Sequence, residues 1–197
     1  MRGPFRRAGG RTIVQSTSLA WTLSVHMIPV LVWKGATETE AAWAYGVESF
    51  LGIITRILIG AWGDWLPKNL VVAGGMLVGI VGLLELLLIG DSWSIWVCVV
   101  TFSVMDGVIP LNWAIVGDYF GRAKFATLRG NMGLIYTWGA IIGPVAAGAS
   151  FDSSESYAAT LWAMIGFFGA GAVVFAFLRP PRQSPPVPAV STGPAGG

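Results

Sequence analysis

Five ionisable side chains interrupt otherwise apolar runs of this chain: His26, Glu48, Arg56, Glu85 and Asp106. Arg56 is the sharpest case, set inside "FLGIITRILIGAWGDWLPKNLVVAGG" at residues 50–75. A guanidinium pairs two-pronged with a carboxylate, so its chemistry here is reversible capture of an anion. Two readings stand for it: a binding cation for an anionic solute, or an internal ion pair with Glu48 or Asp106. Glu48 lies eight residues before Arg56, which on a helix is about 12 Å along the axis and roughly 80° around it. Those two therefore do not pair directly. Asp106 and Glu48 are the candidates to carry a proton. Against that, Asp106 could simply bond Asn112 or a backbone carbonyl, and Glu48 a neighbouring helix or the outer vestibule. His26 lines a cavity or packs as a satisfied histidine, and Glu85, a turn from the end of its run, reaches for the interface.

These groups need a scaffold, and composition defines it. Of 197 residues, 54% are hydrophobic and only 11% charged, where soluble domains carry about a quarter. Ten tryptophans and 27 glycines fit a polytopic helical membrane protein. The net charge of +2 offers no basic surface for nucleic acid. The single Cys98 excludes a disulfide framework and reads as a packing residue. With one histidine and one cysteine, a protein-built zinc site is improbable, and no cofactor motif is present.

A spanning helix needs about 20 mostly apolar residues. Six stretches qualify: roughly Thr12–Trp33, Ala41–Trp62, Asn69–Ile89, Trp93–Val116, Gly130–Ser150 and Tyr157–Leu178. The gaps are "KGATETE", "GDWLPKN", "GDS", "GDYFGRAKFATLR" and "FDSSES", short enough to make successive helices antiparallel neighbours. The predicted organisation is a basic cytoplasmic leader over 1–11, a six-helix transmembrane domain over 12–179, and a disordered Pro- and Gly-rich tail over 180–197. The first span is too long for a cleaved signal peptide and no small-residue cleavage site follows it. Lys and Arg set orientation. Arg2, Arg6, Arg7, Arg11, Lys68, Arg122, Lys124, Arg129, Arg179 and Arg182 fall on one side, against Lys34 on the other. Both termini are therefore expected in the cytoplasm. In this frame Arg56 is about six residues from the inner end of its span, roughly 9 Å deep.

"GAWGDWLPK" reads G-x-x-x-D-x-x-x-K through Gly60, Asp64 and Lys68. The glycine would allow close helix contact and the aspartate would cap or face a helix N-terminus at a cytoplasmic turn. "GAIIGPVAAG" sets Gly139, Gly143 and Gly148 around Pro144. Tight packing is one reading and a gating hinge the other.

Taken together, these segments carry a family resemblance. "TRILIGAWGDWLPKNLVVAGG" resembles the loop motif of the major facilitator superfamily, close to G-x-L-A-D-R-x-G-R-R. "GDYFGRAKFATLRGNMGLIYTWGAIIGPVAAGASFD" is similar to the segment entering the eleventh helix in its monocarboxylate and oxalate/formate branch, and "VHMIPVLVWKGATETEAAWAYGVESFLGIITR" to that branch's seventh and eighth helices. The resemblance runs from about Thr12 to Arg179, over helices seven to twelve. It implies that Arg56, four residues before Gly60, binds a substrate carboxylate. It also implies that Asp64, Asp118 and Arg122 join Gly60 and Lys68 in a cytoplasmic gate; the alternative for the three is loop capping. The chain departs from the pattern in places. Trp65 replaces the motif's usual arginine, Gly52 stands where animal monocarboxylate carriers have an aspartate, and the fifth span lacks the lysine of oxalate-type carriers. A dicarboxylate clamp of that kind is disfavoured.

The expected fold is thus all-α, six transmembrane helices forming one half of a major-facilitator-type fold in a plasma or inner membrane. The expected function is secondary transport of a small organic anion such as a monocarboxylate by alternating access, with protons as a coupling partner. The half would belong to an incomplete or split reading frame, pair with a separate N-terminal six-helix half, or pair with a second copy. The basic leader resembles the loop joining the two halves, which favours the first. The alternative is a non-transporting membrane scaffold or regulator. An embedded enzyme is disfavoured because no catalytic constellation or H-E-x-x-H is present.

Overall fold

The computed structural model describes residues 22–178, and for 122–124 the backbone alone. The expected leader, the beginning of the first span, the tail and the Arg122 side chain lie outside the described residues. The chain is a bundle of α-helices: α1 Thr22–Trp33, α2 Glu38–Trp65, α3 Lys68–Leu88, α4 Ser92–Gly107, α5 Ile109–Phe120, α6 Arg122–Ser154 and α7 Ala158–Phe177. Among the described residues, five stretches are long and apolar enough to cross a membrane: α2, α3, α4 with α5 as one run from Ser92 to Phe120, α6 from Phe125, and α7.

The helix starts follow from local chemistry. Thr37 opens α2 with a capping box: the Glu40 amide donates to the Thr37 hydroxyl at 3.2 Å, and the Thr37 amide to Glu40 Oε2 at 2.9 Å. Asp91 opens α4, its Oδ1 accepting from the Ser94 amide at 2.9 Å and the Ser94 hydroxyl at 2.7 Å. Those hydrogen bonds, the hydroxyl's first, hold the Asp91 carboxyl below its usual range. Gly90 at φ +67° ends α3, and Lys34 Nζ reaches across to the Leu87 carbonyl at 3.1 Å. Such a cation at a helix C-terminus satisfies an orphan carbonyl and meets the negative end of the dipole.

Three expected boundaries are corrected. Gly63 and Asp64 are not in a turn but in the last turn of α2, and the chain reverses over Leu66 and Pro67 alone. Leu66 is extended, as the residue before a proline prefers to be. "GDYFGRAKFATLR" is not a loop. It is helical except at Gly121, whose φ of +75° breaks the chain direction, so α6 begins eight residues before the expected Gly130. Phe125 and Leu128 earn that extension by packing against the cluster around Ile115 and Val116. The fourth span divides at Val108, just before Pro110 enters the first turn of α5, a position that tolerates a missing N–H.

Small residues set the packing. Gly75, Gly79 and Gly82 line one face of α3, and a Cβ on them would strike Val108, Met105 and Thr101 respectively. The falling numbers on the α4 side show the antiparallel crossing. At Gly82 the Cys98 Cα is also 3.3 Å from the Cβ position, so backbone itself blocks a side chain there. Two apolar clusters flank this seam. One joins Leu23, Met27 and Leu31 of α1 to Leu83, Phe102 and Leu161. The other joins Val72 and Met76 to Ile115 and Phe175. α6 stands apart, with Ala147 its one buried residue among those described.

Two outcomes test this account. Gly82→Leu should lower stability in detergent by about 1–3 kcal/mol through overpacking, whereas Gly74→Ala, with nothing within 4 Å of its Cβ position, should stay within about 1 kcal/mol of the parent; thermal unfolding measures both. For Asp91, a depressed folded pKa means stability that is present above the ordinary aspartate pKa and lost as pH falls through the depressed one. The melting-temperature gap between the parent and Asp91→Ala should therefore be widest near neutrality and close in acid.

Candidate functional site

α2 and α4 meet at a seam built around residues with little or no side chain. Gly107 of α4 faces Thr55 and Ile59, with the Thr55 Oγ1 only 2.9 Å from its Cβ position. The Thr55 hydroxyl donates to the Ser103 carbonyl at 2.7 Å, tying the two helices through a backbone acceptor. Gly63 does the same further down against Leu111. Close approach of this kind is what lets a short aspartate on one helix reach a side chain on the other.

At that seam Arg56 Nη2 donates to Asp106 Oδ2. The ion pair was one of the two readings open for Arg56, and Asp106 rather than Asn112 is the partner. Asn112 is itself buried on α5, its Oδ1 without a hydrogen-bond partner. The pair is lopsided: the Arg56 side chain is 46% exposed and that of Asp106 14%. The carboxylate is shut into the seam, while about half of the arginine side chain is exposed. Glu48, two turns before Arg56, is 5% exposed. Among the described residues its carboxylate accepts one hydrogen bond, from the Ser49 hydroxyl at a long 3.5 Å. It lies within electrostatic reach of both Arg56 and Asp106. Two acids and one cation therefore share the seam. Cys98 is buried in the neighbouring apolar cluster, where it packs.

His26 joins a different constellation. Its Nε2 lies 2.9 Å from the Pro144 carbonyl and its Nδ1 3.3 Å from the Tyr157 hydroxyl. A carbonyl only accepts, so Nε2 carries the proton and Nδ1 accepts from Tyr157. Both ring nitrogens are thus used in tying α1 to α6 and to the start of α7. One turn before His26, Thr22 presses on Gly143, while Gly148 stands in ordinary contact at 3.9 Å. Of the four residues expected to pack here, Gly143, Pro144 and Gly148 meet α1; Gly139 is half-buried.

The inner motif is brought together in part. Lys68 Nζ pairs with Asp118 Oδ2 at 2.7 Å, linking the start of α3 to the end of α5. Asp64 is exposed and makes no hydrogen bond or ion pair among the described residues. Gly60 was expected at a close helix contact, but nothing lies within 4 Å of its Cβ position. That contact belongs to Gly63, three residues on. Glu85 is half-buried near the end of α3. An open concavity of about 550 Å³ runs along Glu38, Thr39, Ala42, Trp43 and Gly46, roughly 15 Å along α2 from Arg56.

Polar groups thus gather on one seam of an apolar bundle, and a Lys–Asp bridge joins the start of α3 to the end of α5. The model of the Major Facilitator Superfamily matches residues 14–196. This chain belongs to that superfamily. It is therefore an integral multi-pass membrane protein and a transporter. No curated protein matches it. Arg56, Asp106 and Glu48 share the seam of α2 and α4, and the His26 group ties α1 to α6 and to the start of α7. Tyr157, Thr55 and Gly52 escaped notice as site residues in the sequence. Of these only Gly52, one turn before Arg56, carried a visible signal.

If His26 is a tie between helices, His26→Phe and Tyr157→Phe should each destabilise the protein by about 1 kcal/mol, a typical lost hydrogen bond. The double variant should cost clearly less than the sum, because both remove the same bond. Thermal unfolding of the four proteins in one detergent measures the cycle.

Proposed function

We propose that this major facilitator protein moves a small organic anion, such as a monocarboxylate, and that Arg56 is the cation that holds it. The observation that carries the reading is the half-exposed Arg56 side chain, whose Nη2 is engaged by Asp106. A cation kept in a spanning helix costs a few kcal/mol unless an anion answers it; Asp106 answers it here, and a guanidinium has donors for a second carboxylate.

The architecture we propose around it is six spans with both termini in the cytoplasm of a plasma- or inner-membrane protein, equivalent to helices seven to twelve of the monocarboxylate and oxalate/formate branch. A matching N-terminal half or a second copy would complete the cavity. The apolar faces of α2 and α6 suit such a mate, with Phe50, Ile53 and Ile57 exposed on one and Ile135, Trp138 and Ile142 on the other. The halves then rock about the solute in alternating access. Asp106 and Glu48 are the groups that would handle a proton. Lys68 with Asp118, joined by Gly60, Asp64 and Arg122, would form the inner gate. His26 would support the cavity wall, and Pro144 would give α6 its hinge.

Arg56→Lys keeps the charge but loses the planar fork. It should lower uptake of labelled formate or lactate into proteoliposomes by about 10- to 100-fold, the weight of a charge-assisted hydrogen bond, while membrane insertion is unchanged. The measurement is made for the chain alone and with a supplied six-helix N-terminal half. Parent-like uptake by the variant would remove Arg56 from the role, and no uptake in either format would favour a scaffold.

A further inference from the structure

Arg56 and Asp106 stand on different helices, and the space that lets them meet is an absent side chain. Gly52 is buried one turn before Arg56. A Cβ at Gly52 would lie 3.6 Å from Asp106 Oδ2, the same oxygen that accepts from Arg56. The carboxylate from α4 is therefore seated over the bare backbone of position 52. A single carbon there is ordinary contact; a longer side chain needs the volume that the carboxylate fills. Glu48, Gly52 and Arg56 follow one another at four-residue spacing along α2, so they share a stripe. Two of the three are ionisable, and the gap between them is filled from the opposite helix by an acid.

We propose that Asp106, seated by Gly52, is a tethered competitor: it occupies the Arg56 anion site until a solute displaces or joins it, and it selects monoanions over dianions. The proposal rests on the reading of Arg56 as an anion-binding cation. A solute carboxylate can take the guanidinium N–H groups that Asp106 leaves open, since a guanidinium offers five. A second negative charge on the same solute would have to sit beside Asp106, with Glu48 one turn further along α2. Like charges at that spacing in a poorly screened site repel. Gly52 is then a specificity-determining position although it has no side chain to touch the solute: it sets where the competing acid stands.

The test reads Arg56 itself. Full-length protein in proteoliposomes is treated with phenylglyoxal, a guanidinium reagent, and modification of the Arg56 peptide is followed by mass spectrometry. Asp106→Asn should speed that modification by about tenfold, as expected for removing one charge-assisted hydrogen bond. Gly52→Leu, which evicts the carboxylate sterically, should do the same, and the double variant should be no faster than either single one. Formate should protect the parent Arg56 at lower concentration than malonate, and Asp106→Asn should lower the protecting concentration of malonate more than that of formate. Unchanged Arg56 reactivity in both single variants, with protection by formate intact, would overturn the competitor role and leave the anion-binding reading standing. Faster modification in the variants with no protection by either anion would overturn the anion-binding reading and the selection built on it.

Discussion

A positive and a negative side chain placed separately in hydrocarbon are each expensive; placed together they must be brought within hydrogen-bond reach. The Arg56–Asp106 bond imposes that demand on everything near it. Aspartate is short, so α2 and α4 must touch. They touch because Gly52 and Gly107 remove side chains from the crossing and because Thr55 finds the Ser103 carbonyl. α4 cannot shift to relieve a poor fit, since its other face is locked to α3 by the stripe of Gly75, Gly79 and Gly82. The charge pair and the glycine stripe are thus two sides of one arrangement: the first needs a fixed helix position and the second supplies it.

The bundle divides into parts of unequal firmness. α3, α4 and α7 share the buried clusters with α1 and with Ala41, Ala44 and Ile59 of α2. α6 buries little and is attached at a few points, chiefly Gly143 and Pro144 against Thr22 and His26, and Phe125 and Leu128 against the α5 cluster. A transporter has to keep its binding groups in register while part of it moves. Here the charged seam lies in the firm part. The lightly held helix carries the interior proline, which removes one rung of its own hydrogen-bond ladder.

Much of the fold was legible because membrane helices announce themselves by length and apolarity alone. α3 and α7 were placed within a residue or two. The short gaps foretold the antiparallel pairing of α3 with α4, but the other main contacts, α2 with α4 and α3 with α7, join helices that are not successive. The errors share a cause. Gly-Asp and Gly-Arg pairs look like turns, yet Gly63–Asp64 closes α2 and only Gly121 interrupts the run into α6. In lipid, helix continuation satisfies the backbone without water, so polar or small residues at a span's end extend it rather than end it. The five ionisable residues were visible for the same reason that they are costly. Which of them pair was not visible, because partners fifty residues apart depend on the rotation of each helix, and an apolar run reports no preferred face. The separation of Glu48 from Arg56 was readable, being a matter within one helix. His26 shows the limit: polar company in the sequence suggested a cavity, and its nitrogens are taken by Pro144 and Tyr157.

α6 is 33 residues long, about 50 Å at the α-helical rise, while the hydrocarbon layer is about 30 Å thick. α3 and α7, at 21 and 20 residues, match that layer almost rung for rung. The long helix must lean, curve at Pro144, or stand several turns clear of the lipid. Bilayer thickness therefore acts on α6, and next on the 28-residue α2, more than on α3 and α7, and lipids of different acyl length become a dial for the helix that is least held by protein.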